Sequence, residues 1–154
     1  MLITTHGLFG ALIGKEVGYP PLAFLLGFIS HFILDSIPHC DGPDDIADRD
    51  ENLPNTNAQY LLVSLDLLLA VAITIYLFSM GMVLPEMIWG VVGALFPDLI
   101  DNVPIWKRKI RKLNVFREFH FFHAKIQQFK IPLFWGLAVQ YLLAAFFFCL
   151  IFLL

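Results

Sequence analysis

The sequence predicts an all-α integral membrane protein, a polytopic helical bundle of about four to five spans with a cytoplasmic basic amphipathic helix. Three observations predict this class. Of the 154 residues, 58% are hydrophobic and only 15% are charged, and the mean hydropathy is +0.74, whereas soluble domains are about half apolar and a quarter charged. Long runs lack any charge, and acids and bases are segregated along the chain. A soluble, disordered or disulfide-stapled chain is excluded by these numbers.

Each apolar stretch is assigned to one span of a single membrane domain, residues 1–154. A bilayer core requires about 20 mostly apolar residues per helix. Charge-free runs cover residues 17–34, 67–85 and 131–154. The first apolar stretch is short for a full crossing, which predicts a thin, tilted or re-entrant segment. The predicted spans are residues 2–14, 19–37, 58–80, 84–101 and 131–154.

Two polar stretches interrupt the spans. Residues 40–57 contain six acids and one base, and their Gly, Pro and Asn content is typical of a solvated acidic loop. Residues 102–130 contain eight bases and one acid, and apolar residues recur there every three or four positions. This periodicity predicts an amphipathic helix or helix pair along a lipid surface. Because Lys and Arg collect on the cytoplasmic side, and two spans separate the stretches, both are predicted to be cytoplasmic.

The histidines and the acids within the spans are predicted to lie near one membrane face. His31 and Asp35 are four residues apart and therefore share a helical face. An ionisable group inside a bilayer is costly unless it is paired or metal-bound. Imidazoles and carboxylates without lysines form the donor set that divalent metals need. The residues that this placement brings together are His6, His31, Asp35, His39, Asp66, Asp98, Asp101, His120 and His123.

Single residues of this set also fit structural roles. His31 and Asp35 fit an internal hydrogen-bonded pair, and Asp98 fits a capped turn after a proline. His120 and His123 fit the polar edge of an interfacial helix. The convergence of all of them on one side favours a metal site.

Three strings within these segments carry a resemblance to a known family. They are THG at 5–7, GFISHFILD at 27–35 and FPDLID at 96–101. Together with the later His pair they resemble the bacterial inner-membrane family of membrane-bound metal-dependent hydrolases (YdjM-like), with the motif order changed. The resemblance implies a divalent-metal hydrolase of a bacterial or archaeal cytoplasmic membrane. The ligand candidates that it implies are His6, His31, Asp35, Asp98, Asp101, His120 and His123.

The predicted chemistry is metal-assisted hydrolysis of an ester or phosphoester. The substrate is expected to be amphiphilic, because the site lies close to lipid headgroups and a basic helix. Zinc is the expected ion since imidazoles are prominent, with manganese or magnesium as alternatives. His120 or His39 is the candidate general acid, and Asp66 is a candidate second-ion ligand or a partner of a ligand. The candidate metal ligands are His6, His31, Asp35, Asp66, Asp98, Asp101 and His123.

Two other functions stay open at the level of sequence. A non-catalytic metal-binding membrane adaptor would use the two charged stretches for partners. A metal-ion transporter would need polar groups along a path to both faces, and the outer half offers only Lys15, Glu16 and Glu86. Membrane lipid and the amphiphilic substrate are the expected partners, and no nucleic-acid partner is expected.

Overall fold

The protein is all-helical over the residues that its computed structural model describes, which are 1–42, 56–103 and 105–154. One isolated backbone bridge joins His39 to Lys130. The predicted all-α class is confirmed for this part of the chain. The helices of the described ranges are α1 (Ile3–Val17), α2 (Pro20–Asp35), α3 (Asn57–Ser79), α4 (Pro85–Asp101), α5 (Lys107–Ile110), α6 (Asn114–Ile126) and α7 (Leu133–Leu153).

The helices coincide with the segments expected from the sequence. Helices α1 to α4 and α7 fall on the five apolar stretches, and α5 and α6 fall in the basic stretch. Two helices, α3 with a mean hydropathy of 2.5 and α7 with 2.3, are long and apolar enough to cross a membrane. Helix α2 is apolar but only 16 residues long. Most of the predicted acidic loop lies outside the described residues.

Helices α1, α2 and α4 pack closely through glycines. A Cβ built on Gly10 of α1 would lie 2.5 Å from the Gly90 carbonyl oxygen of α4. A Cβ on Gly14 or Gly27 would likewise collide with the backbone of α4, at Glu86 and Gly90 respectively. Small residues allow helix backbones to approach in this way. The close approach brings the polar ends of the three helices together.

The first turn of α1 is capped by side chains of two other helices. The N-cap residue of α1, Leu2, makes no side-chain cap. Instead, the backbone N–H of Thr4 donates to Asp66 Oδ2 of α3 at 3.0 Å, and the Thr4 hydroxyl donates to the Asp66 carbonyl at 3.0 Å. The Leu2 N–H donates to Gln140 Oε1 of α7 at 2.6 Å. Two buried polar residues of apolar helices thus satisfy N–H groups that a helix start leaves unpaired.

The loop after α2 is fixed against the start of α7. The Ile131 N–H donates to the His39 carbonyl at 3.3 Å, and Gln140 Nε2 donates to the Cys40 carbonyl at 2.7 Å. A Cβ on Gly136 would lie 2.5 Å from the Cys40 Cβ. These contacts hold His39 beside the end of α2.

Candidate metal centre

The centre of the cluster is Asp35, the last residue of α2. Its Oδ2 lies 3.1 Å from His31 Nε2 and 2.9 Å from His123 Nε2. The two imidazole nitrogens are themselves 3.0 Å apart. All three residues are buried, with relative exposures of 1% or less. His31 and Asp35 of α2 therefore meet His123 of α6 in one triangle of donor atoms, although His31 and His123 are 92 positions apart in the sequence.

The second nitrogen of each imidazole is held by the protein. His31 Nδ1 lies 2.7 Å from the Ala94 carbonyl oxygen. Because a carbonyl only accepts, His31 Nδ1 carries the hydrogen, and the neutral ring presents a lone pair at Nε2. His123 Nδ1 lies 3.2 Å from Asp101 Oδ2 and donates to it. This arrangement, with one nitrogen turned inward and the other hydrogen-bonded outward, is the arrangement of metal-binding histidines.

A positive charge is required where the three atoms meet. Burial lowers the pKa of His123, but hydrogen bonds to Asp101 and Asp35 and the charge of Asp98 outweigh burial and raise it to about 9. At neutral pH the metal-free His123 ring is therefore protonated and bridges the two carboxylates. A divalent ion would replace that proton, since a metal binds the neutral ring.

Two further donors border the triangle. Asp98 Oδ1 lies 3.7 Å from His31 Nε2 and 3.8 Å from His123 Nε2, and its side chain is 22% exposed. The His6 ring stacks on the His31 ring at 4.1 Å, and His6 Nε2 lies 3.1 Å from Asp35 Oδ1. Among the described residues, buried His6 Nδ1 finds no hydrogen-bond partner. Two sets of three ligand atoms each lie within 4.8 Å: His6 with His31 and Asp98, and His31 with Asp35 and His123.

Asp101 lies behind the triangle and orients its neighbours. Besides His123, it accepts from His120 Nδ1 at 2.9 Å and from Arg111 Nε at 2.9 Å. The carboxylate at the end of α4 thus binds three donors from the basic segment. Neither three-residue ligand set of the described residues includes it.

The other oxygen of Asp35 faces a second group of charges. The Met1 amino group donates to Asp35 Oδ1 at 2.7 Å. His39 Nε2 lies 4.0 Å from the same oxygen and 3.2 Å from Asp41 Oδ2, while its Nδ1 donates to the Ile37 carbonyl at 2.7 Å. The Met1 ammonium and the His39 hydrogen bond hold the pKa of Asp41 well below its usual range, against the effect of burial.

The structure brings eight of the nine predicted site residues into one connected network. The ninth, Asp66, lies at the start of α1, where it binds the N–H and hydroxyl of Thr4. No ligand set found among the described residues contains it. The eight residues that connect through Asp35 and Asp101 are His6, His31, Asp35, His39, Asp98, Asp101, His120 and His123.

Sequence reasoning missed four polar contributors. Gln127 donates to Asp35 Oδ2, and its position four residues after His123 on the same helical face was an available signal. Gln140, alone among apolar residues in the last span, was a second available signal. For Asp41 and Arg111 the sequence offers no such signal, because each lies in a stretch of like charges.

The donor set fits a divalent metal ion. Two ligands bonded at about 2.0–2.1 Å lie about 2.9 to 3.4 Å apart for octahedral to tetrahedral angles, and the three atoms of the triangle are 2.9 to 3.1 Å apart. Comparisons with protein-family models, curated proteins and solved structures found no match to the chain. The chemistry of the site therefore rests on its own geometry.

Proposed function

We propose that this chain is an integral membrane protein that acts as a divalent-metal-dependent hydrolase. Its substrate is an ester or phosphoester of an amphiphilic molecule at the cytoplasmic face. The observation that carries the proposal is the convergence of His31 Nε2, His123 Nε2 and Asp35 Oδ2 to within 3.1 Å of one another. Converging lone pairs at that spacing in a buried site are stabilised by a proton or a metal ion between them.

The donor set favours zinc over harder ions. Two imidazoles and one carboxylate form the centre, and His6 and Asp98 adjoin it. Nitrogen-rich sets suit zinc, whereas manganese and magnesium prefer oxygen ligands. When bound, such an ion lowers the pKa of a water and polarises the substrate oxygen.

Asp98 marks the side from which a substrate reaches the site. The side chains of His31, Asp35 and His123 are at most 1% exposed, whereas that of Asp98 is 22% exposed. Asp98 adjoins the triangle itself, whereas the more exposed Asp41, at 31%, lies beyond His39 and the Met1 amino group, so we assign the entrance to the Asp98 edge. Arg111, which shares the Asp101 carboxylate with His120 and His123, adds a positive charge to the cluster that would attract an anionic substrate.

His120 and His39 are the two candidates for donating a proton to the leaving group. His120 Nδ1 is engaged with Asp101, so a proton that it transfers leaves from Nε2. His39 Nδ1 donates to the Ile37 carbonyl, so a proton that it transfers leaves from Nε2, which lies 3.2 Å from Asp41 Oδ2. The pH profiles of hydrolysis by His120→Gln and His39→Gln separate the two, because only loss of the general acid removes the alkaline limb.

The membrane assignment is supported by the surface of α3. Only Asp66 and Leu77 are buried among its 23 residues, all of which are described. Its exposed apolar side chains include Leu68 at 65% and Phe78 at 74%. An apolar surface of that size is typical of contact with lipid. We propose four spans, α2, α3, α4 and α7, with α1 as a fifth, short or tilted one, and the basic segment on the cytoplasmic side.

Cysteine labelling tests this topology. In a background carrying Cys40→Ala and Cys149→Ala, Lys109→Cys reports on the basic segment and Gly81→Cys on the turn between α3 and α4. We expect a membrane-impermeant reagent to label Lys109→Cys from the cytoplasmic side and Gly81→Cys from the other side. Labelling of both positions from one side would contradict a spanning α4.

Metal analysis combined with an activity assay tests the function. Protein purified without chelator is analysed for zinc and manganese, beside His31→Ala and Asp98→Ala, with exposed Glu118→Gln as the control for a charge change. We expect bound metal in the wild type and the control, and its loss in the two site variants. Phosphodiester and carboxylic-ester substrates are then compared with the metal present and after chelation.

The outcomes separate the candidate functions. Metal-dependent hydrolysis supports the hydrolase. Bound metal without hydrolysis would favour the metal-binding adaptor, and metal flux into proteoliposomes would favour a transporter. Equal, negligible metal in all samples would reduce the cluster to a hydrogen-bonded network with a protonated His123.

A further inference from the structure

Helix α6 presents a different chemistry on each of its faces. Among its residues, all of which the structure describes, only His123 is buried. Val115 and Phe122 lie on an exposed apolar flank, with 77% and 53% of their surface accessible. Arg117 and Lys125 are exposed on the remaining face. A helix of this kind lies in a membrane interface, with apolar residues toward the acyl chains and bases toward the headgroups.

The apolar flank of α6 continues onto the surface of α2. The Phe122 ring packs against Phe32 of α2 at 5.3 Å. The neighbouring side chains on α2, Ile29 and Ile33, are 45% and 58% exposed. The exposed apolar side chains of α2 and α6 thus meet at the Phe32–Phe122 contact, which is consistent with one lipid phase covering both.

The chain after α6 leads directly into a candidate membrane span, which places the end of α6 near the membrane interface. Helix α7, long and apolar enough to cross a membrane, begins at Leu133. Its first turn exposes Phe134 at 73% and Trp135 at 62%. Aromatic residues concentrate at the level of the headgroups, so α6 ends at that level.

The inner face of α6 is held to the bundle mainly by the candidate metal centre. His123 contacts Asp35 and His31, His120 contacts Asp101, and Gln127 donates to Asp35. The rings of Phe119 and His123 on this face also pack against Phe32, and that of His123 against His31. The position of α6 therefore decides whether His123 reaches the other ligands.

We propose that α5 and α6 form a docking surface for an anionic lipid bilayer, and that docking seats His123 in the metal centre. The inference rests on the proposed metal site and names the partner that regulates it. The basic segment carries a net charge of +7 over residues 102–130, and Lys109, Lys112 and Lys125 are exposed. Anionic headgroups attract bases close to the surface.

An anionic bilayer fits this surface better than an acidic protein or a nucleic acid. The exposed lysines alternate with large apolar side chains, including Phe121 at 59% and Phe129 at 59% exposure. A headgroup layer above acyl chains accommodates both kinds of group at once. A nucleic acid would match the charge and leave the aliphatic flank in water.

The test measures metal affinity in two lipid environments and needs no substrate. The full chain is reconstituted in nanodiscs of phosphatidylcholine alone and of phosphatidylcholine with phosphatidylglycerol, and the Kd for Zn²⁺ is measured by chelator competition. Each basic residue near the surface contributes roughly a fivefold factor, so we expect at least about tenfold tighter Zn²⁺ binding in the anionic discs. High salt should remove the difference.

Two variants provide the controls. The triple change Lys109→Gln, Lys112→Gln and Lys125→Gln should make the two Kd values equal while leaving the value in neutral discs unchanged. Glu118→Gln, an exposed change on the same helix that raises its net charge, should retain or increase the lipid dependence.

Each result decides one part of the proposal. Equal Zn²⁺ affinity in both discs would overturn the coupling and leave the metal site standing. If no Zn²⁺ binds in either disc, the proposed function fails, and the docking surface is judged by a spin label at Val115→Cys in the background without Cys40 and Cys149. A label that collides with aqueous rather than lipid-soluble relaxation reagents in anionic discs would overturn the docking surface itself.

Discussion

Asp35 and Asp66 are both buried carboxylates on apolar helices, yet their surroundings differ completely. Asp35 Oδ2 faces two imidazole nitrogens at 2.9 and 3.1 Å, from residues whose other nitrogens are already engaged. Asp66 Oδ2 accepts from a backbone N–H at the start of α1 at 3.0 Å. The partial positive charge of a helix start favours a carboxylate there, while the buried Asp66 Oδ1 finds no hydrogen-bond partner among the described residues. Asp35 accepts from the Met1 ammonium and from Gln127, but its Oδ2 also converges with two imidazole nitrogens, and those three atoms can share a proton or a metal ion.

The comparison shows what makes an acid in an apolar helix a candidate for function. Burial is the same for both residues, each 1% exposed, so it does not separate them. The partner atoms of the two Oδ2 atoms do separate them. Asp66 Oδ2 faces a backbone N–H donor, whereas Asp35 Oδ2 faces two imidazole nitrogens with which it can share a cation. The predictions below test whether that distinction holds.

The largest expected effect is the loss of metal on neutralising Asp35. Asp35→Asn removes the charged oxygen that faces both imidazoles, and we expect Zn²⁺ stoichiometry to fall to background. Activity should fall by more than about 100-fold, the upper range for residues that only orient a ligand. Asp66→Asn should keep wild-type metal content. Equal metal loss in the two variants, measured by elemental analysis, would remove the distinction between the two carboxylates.

The next effect concerns the carboxylate that orients His123. Asp101→Asn keeps an oxygen near the ring but removes the charge that binds His120, His123 and Arg111. We expect a 10- to 100-fold weaker Zn²⁺ affinity, the usual cost of losing such a partner. Chelator competition measures the change, and Asp66→Asn again provides the control. An unchanged affinity would show that Asp101 fastens α5 and α6 without tuning the site.

The sequence predicted the helical class and most of the cluster because both depend on local rules. Charge-free length identified the apolar helices, and spacings of three or four residues placed His31 with Asp35. The partner of Asp66 was not predictable, because Thr4 is 62 residues away and binds through its backbone. The contacts of Asp101 with Arg111 and His120 were also not predictable, since spacing alone does not tell a ligand from a group that holds a ligand.

A pH effect on the metal-free protein follows from His123. Its pKa is raised to about 9 by Asp101 and Asp35 despite burial, above the ordinary value of 6.5. A raised pKa contributes stability that is complete below pH 6.5 and is lost as the pH rises to about 9. We expect chelated protein to lose a few kcal/mol over this range, since one pKa unit is about 1.4 kcal/mol.

Thermal unfolding in detergent with chelator measures that loss. His123→Gln should show a flat profile between pH 6.5 and 8, because the titrating ring is absent. Above pH 8 the Met1 amino group adds a loss of its own, since, despite burial, Asp35 and Asp41 raise its pKa from 8.0 to about 11. Asp66→Asn should keep the wild-type slope. A slope between pH 6.5 and 8 that survives in His123→Gln would assign the titration to another group.

The smallest effect is expected at Asp66, where the comparison predicts a structural role alone. Asp66→Leu leaves the Thr4 N–H without its acceptor at the start of α1, and losing a helix cap costs about 1–2 kcal/mol. Asp66→Asn retains an acceptor oxygen, and Asn caps helices about as well as Asp, so its midpoint should stay close to that of the wild type. Both variants should bind Zn²⁺ as the wild type does. Thermal unfolding without Zn²⁺ measures the cost of losing the cap. The rise in midpoint on adding Zn²⁺ measures metal binding, because a ligand that binds the folded state more tightly stabilises it more. If Zn²⁺ no longer raised the midpoint of Asp66→Asn, Asp66 would belong to the metal centre, and backbone donors would not be enough to explain a buried carboxylate there.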